Sequence, residues 1–164
     1  PDAVVRHLAG YTLGNVGGPD AVEQLRVMLS DGNRMAQANA ANGLARNGSV
    51  DGVPTLIQLL TTSLKPFQFD PDSMLPKIEG GLDPSQKYEP TSEEIRQAEA
   101  KFHIEESQIA RNSLTAVADL WSQIDADSRD QLLTLIKSIA ADFPEPDLGV
   151  RRQADELLKT IGQP

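Results

Sequence analysis

At 164 residues the chain is long enough for one domain with a packed core. A net charge of −9 at pH 7 argues against nucleic acid or an anionic membrane surface as partner, since both attract clustered Lys and Arg. It contains no cysteine, which excludes disulfides, thiol nucleophiles and Cys-ligated metal, and no apolar run nears the roughly 18 residues that a membrane span needs.

Residues 2–16 carry Val5, Leu8, Ala9, Thr12, Leu13 and Val16 at helical spacing. Gly17-Gly18-Pro19 ends that helix and opens the next, because glycine accepts the left-handed position and proline suits a first turn. Val22, Leu25, Met28 and Leu29 then mark a partner helix over 20–30. The same grammar returns. Met35, Ala36, Ala40 and Leu44 mark one helix, Asn47-Gly48 the turn, and Val53, Leu56, Ile57 and Leu60 its partner, with Pro54 tolerated in the first turn.

From Thr61 the pattern fails. Pro66, Pro71, Pro76, Pro84 and Pro90 forbid a helix over 62–90, yet Leu64, Phe67, Phe69, Met74, Leu75, Ile78, Leu82 and Tyr88 are more apolar than a solvated linker needs. The expectation is an extended arm pinned on the helices. Thr91-Ser92-Glu93-Glu94 is a capping box. It opens a long helix, or two with a break near Glu105–Ser107, reaching about Gln123. Asp127 is the expected N-cap of the next helix, carrying Leu132, Leu135, Ile136 and Ile139, and Phe143-Pro144-Glu145-Pro146 turns the chain into a last one.

Shifted by 31 residues, Ala9, Leu13, Gly17, Asp20, Val22, Leu25 and Leu29 fall on Ala40, Leu44, Gly48, Asp51, Val53, Leu56 and Leu60. Near the end, Pro146-Asp147-x-x-Val150-Arg151 repeats Pro1-Asp2-x-x-Val5-Arg6. A period of this length with helical spacing inside it signifies stacked helix pairs. The units resemble HEAT repeats of the short kind found in phycobilisome lyases, departing from the pattern where Ala36-Gln37 replaces Val-Arg. The resemblance implies an all-α, α-α superhelix: two regular repeats over 1–61, a long Pro-rich irregular insertion over 62–90, a degenerate repeat over 91–145 and an incomplete final repeat over 146–164. Because Pro1 falls inside a motif, the expectation is a piece of a longer protein, in a cytoplasmic setting.

Chemistry is sparse. His7 aligns with Ala38, so the repeat does not require it. His103 has Glu99 and Glu106 within one turn, but one histidine with flexible carboxylates is poor zinc chemistry, and a solvated charged face is expected. Neither histidine precedes a glutamate, as the di-iron hydroxylases of this repeat type require, and no phosphate loop or nucleophile–base pair is visible. The reading is a non-catalytic scaffold without cofactor, catalytic residue or metal, binding a protein or peptide. In HEAT-type stacks the second helix of each pair lines the concave face. On the two clear ones, Gln24, Val27, Met28, Thr55, Gln58 and Leu59 remain as an uncharged partner-binding stripe. Self-association through exposed solenoid ends is a further expectation. The alternative is a substrate-binding or regulatory segment of a larger enzyme of the lyase or glycosylase type.

Overall fold

The computed structural model describes residues 2–70, 90–144 and 148–162. Seven α-helices follow one another there, and no strand occurs among the described residues: α1 Ala3–Val16, α2 Pro19–Met28, α3 Arg34–Arg46, α4 Val53–Ser63, α5 Ser92–Leu120, α6 Ala126–Asp142 and α7 Gly149–Ile161.

Their ends follow from local chemistry. Asp2 caps α1 by accepting from the Val4 N–H, and Asn33 caps α3 by accepting from Ala36. Gly17 adopts φ 69° at the end of α1, and Pro19 opens α2. Thr91 and Glu94 form the full reciprocal capping box at the start of α5. The cap of α6 is Asp125 rather than Asp127, because Asp125 stands three residues before Ser128, whose N–H it accepts at 2.9 Å.

The helices form two layers. The first helices of each pair, α1, α3, α5 and α7, pack side by side in that order; α2, α4 and α6 cover them from one side. This is an all-α stack in which α1 packs with α2 and α3 with α4, while α6 rests mainly on α7 and α4. The main core runs beneath both layers from Ala41 and Leu56 through Leu114, Val117 and Leu132 to Ile136 and Leu157. At the first junction α1 and α3 approach through glycines: a Cβ placed on Gly14 would stand 2.5 Å from the Gly43 Cα.

The long helix is one continuous rod, without a break at residues 105–107. Its 29 residues rise about 43 Å, against about 20 Å for α3. Burial begins at Glu106, so only the second half joins the layer. The first half overhangs, and the extended segment after α4 lies on it, with the Phe67 ring 5.4 Å from Phe102. The rest of the expected arm, including Met74, Leu75, Ile78, Leu82 and Tyr88, lies outside the described residues, as do residues 145–147.

Glu106 contradicts the expected solvated face. It is 4% exposed, accepts from Ser63 Oγ at 2.7 Å, and pairs through both oxygens with the Arg34 guanidinium. Arg34 opens α3 and Ser63 closes α4, so one carboxylate joins three helices where α5 enters the stack. A buried charge is tolerable there because it is paired and hydrogen-bonded.

Candidate partner surfaces

The expected stripe divides on inspection. Gln24, Val27 and Gln58 are exposed, Val27 at 66%, and Thr55 is half-buried. Met28 is half-buried and turned inward, with its terminal methyl over Gly10 of α1. Leu59 is 1% exposed, so the sequence reading placed it on the wrong side. Ile109 of α5 and Ala38 of α3 cover it, and a helical wheel drawn for α4 alone carries no sign of α5. The accessible stripe is therefore Gln24, Val27, Thr55 and Gln58.

Ion pairs frame these elements. Arg26 of α2 binds Asp51, in the 3-10 turn Val50–Gly52 that opens α4, at 2.7 Å. Arg26 holds the Asp51 carboxyl below the ordinary carboxylate range, helped by the Ser49 hydroxyl. Arg6 binds Asp31 at 2.7 Å, and it, with the Asn33 N–H, lowers Asp31 in the same way. Where the second unit lacks its arginine, Gln37 donates to the Asp31 carbonyl at 2.7 Å. Arg151 of α7 donates to the Phe143 carbonyl. These polar links between units are structural; no group of three or more potential metal ligands occurs among the described residues.

A second surface lies on the opposite, outward side of the first layer, and sequence reasoning missed it. Between α3 and α5 runs a groove, walled by Met35, Asn39, Asn42 and Arg46 on one side and Gln108, Asn112, Thr115 and Asp119 on the other. The two walls are equivalent positions of two helices, at a constant shift of 73 residues. At one end the groove widens over α1 into an open hollow of about 360 Å³ bordered by His7, Leu8 and Tyr11. Arg46 stacks on the Tyr11 ring at 5.5 Å and donates to Asn15.

Residues 1–67, from α1 through α4, match the family model of HEAT repeats. Those residues carry HEAT repeats. No curated protein and no solved structure matches it. HEAT repeats commonly mediate protein interaction, and the stripe on α2 and α4 lies within the matched residues. No helix among the described residues is long and apolar enough to cross a membrane.

The two ends of the HEAT stack differ. On α1, Val5, Leu8 and Val16 are 56%, 52% and 74% exposed. At the 31-residue shift, Val5 and Ala9 correspond to Ala36 and Ala40, which are fully buried in α3. The free face of α1 thus repeats a face that in α3 is covered. On α7, Val150, Ala154 and Leu157 are buried while Arg152, Asp155, Glu156 and Lys159 face out. The single last helix presents a polar exterior, not the apolar end that a missing partner helix suggests.

Proposed function

We propose that this HEAT-repeat chain is a non-catalytic interaction module that binds a protein or peptide on the outer face of its second helices, through Gln24, Val27, Thr55 and Gln58. The observation that carries the reading is an uncharged row on α2 and α4, with Gln24, Val27 and Gln58 exposed and Thr55 half-buried, bordered by the Arg26–Asp51 pair. Such a row offers amide hydrogen bonds and apolar contact without the cations that phosphate recognition needs. Self-association through the α1 end belongs to the same reading, since Val5, Leu8 and Val16 leave an apolar helix face open.

The test is charge reversal on the row. A partner recovered on the wild-type chain is titrated against Gln24→Glu and Gln58→Glu, singly and together, with thermal unfolding measured on the same samples. Weaker binding at an unchanged melting temperature is the expected result. Unchanged affinity removes this face from the account.

A further inference from the structure

The end of α3 calls for two particular residues in succession. Asn47 donates its Nδ2 to the Gly14 carbonyl of α1 at 3.2 Å and to the Gly43 carbonyl of its own helix at 2.7 Å, so the side chain must offer N–H to two acceptors. Gly48 follows at φ 71°. Its N–H reaches the Ala45 carbonyl at 2.9 Å, and the Ser49 N–H reaches the Leu44 carbonyl at 2.9 Å. This double closure of a helix end needs a left-handed residue, which glycine supplies without strain. Packing and turn together therefore require Asn-Gly. That pair is the one most open to loss of its amide, because glycine has no side chain to shield its nitrogen from the asparagine Cγ.

The closed structure holds the reaction off. The Gly48 nitrogen is engaged in the turn, and the Asn47 amide is tethered to both carbonyls. One of those tethers belongs to α1. That helix packs on α3 and α2, while Val5, Leu8 and Val16 leave its other side exposed. Its apolar anchor, Leu13 with Leu25 and Leu44, is a small cluster apart from the main core. An end element with so few buried contacts is the first to open. Asn42-Gly43, the other such pair in the chain, lies inside α3, with Asn42 only 8% exposed. Opening at α1 leaves that pair within an intact helix.

We propose that Asn47-Gly48 is a deamidation site gated by α1. When α1 lifts away, the Gly48 nitrogen attacks Asn47 Cγ. The N–Cγ bond forms, the Cγ–Nδ2 bond breaks, and Nδ2 leaves as ammonia with the proton from Gly48. Water then opens the succinimide at either carbonyl, giving aspartate or isoaspartate. Either product carries a carboxylate, which only accepts, where Gly14 and Gly43 present carbonyls, so the closed position of α1 is disfavoured. The site turns a reversible opening of the first helix into a lasting one.

In the test, the folded chain is held in mildly alkaline buffer, sampled over time and digested with trypsin, whose cut after Arg46 puts Asn42 and Asn47 on separate peptides for mass spectrometry. Asn47 should convert while Asn42 stays intact, and in urea both should convert. Gly14→Ala, which parts α1 from α3, should speed conversion at Asn47 about 5–30-fold through a larger open population and leave Asn42 intact. Asn47→Asp should lose hydrogen-exchange protection along α1 and keep it in α6 and α7. An intact Asn47 in the folded chain, one common rate for Asn42 and Asn47, or an Asn47 rate that Gly14→Ala leaves unchanged overturns the proposal. So does an Asn47→Asp chain whose α1 stays as protected as in wild type.

Discussion

Substituting Gly14 by alanine tests the packing on which the stack depends. The new Cβ would stand 2.5 Å from the Gly43 Cα, whereas carbon atoms in ordinary contact sit about 3.5–4.0 Å apart. Backbone cannot swing aside as a side-chain tip can, so α1 and α3 must part by about 1 Å. That loosens Leu13, Leu25 and Leu44 below them and the Asn47-to-Gly14 bond of 3.2 Å beside them. Overpacking of this kind costs about 1–3 kcal/mol. Alanine returns about 0.5–1 kcal/mol through the helical backbone. The net loss should be about 1–2 kcal/mol, read as a lowered urea midpoint by far-UV circular dichroism. Gly43→Ala meets the Gly14 Cα at 2.9 Å and both Leu25 methyls at 3.0 Å, so it should cost at least as much. Because one separation relieves both clashes, the double variant should lose less than the sum. Gly32, with nothing within 4 Å, is the control and should move by less than about 0.5 kcal/mol on alanine substitution. An unchanged or raised midpoint for Gly14→Ala would refute close glycine packing as the basis of this junction.

Glu106→Ala leaves Ser63 buried and Arg34 half-buried without their partner, and should destabilise by about 2–4 kcal/mol in urea unfolding; Glu106→Gln keeps hydrogen-bonding atoms and should cost less. Asp31 and Asp51 titrate below their unfolded values in the native state. Their contribution to stability is therefore full well above the unfolded carboxylate pKa of about 3.9 and is lost progressively as pH falls from there through their lower folded values. The urea midpoint should fall between about pH 5 and pH 3, and Asp31→Asn should be less stable than wild type at pH 7 yet lose less on acidification. Lysine at Leu8 and Val16 should abolish any concentration-dependent growth in mass by light scattering, while lysine at Glu156, on the polar end, should leave it unchanged.

The regular half of the fold was legible because each signal repeats. Gly17 with Pro19, Asn47 with Gly48, and leucines at 25, 29, 56 and 60 fix four helices and their inward sides without reference to anything distant. The later helices were harder, since the insertion changes the shift from 31 to 73 residues and α5 places Ser113 and Ala116 where α3 has Ala40 and Gly43. What α5 covers was invisible for the same reason. Leu59 reads as surface until Ile109 is known to lie over it, and Glu106 reads as solvated until Arg34, 72 residues away, is known to face it. The groove needed the register of two helices at once. Asn39, Asn42 and Asn112 are ordinary polar helix residues in isolation, and only the packed helices bring them to one groove.

The most direct test of the account is a single set of amide spectra. The side-chain NH2 groups of Gln24 and Gln58 each give their own signals in one ¹⁵N–¹H correlation spectrum of this 17.7 kDa chain. Titration with a protein partner recovered on the wild-type chain should shift Gln24 and Gln58. Saturable binding that moves neither would contradict an interaction module built on this HEAT-repeat face.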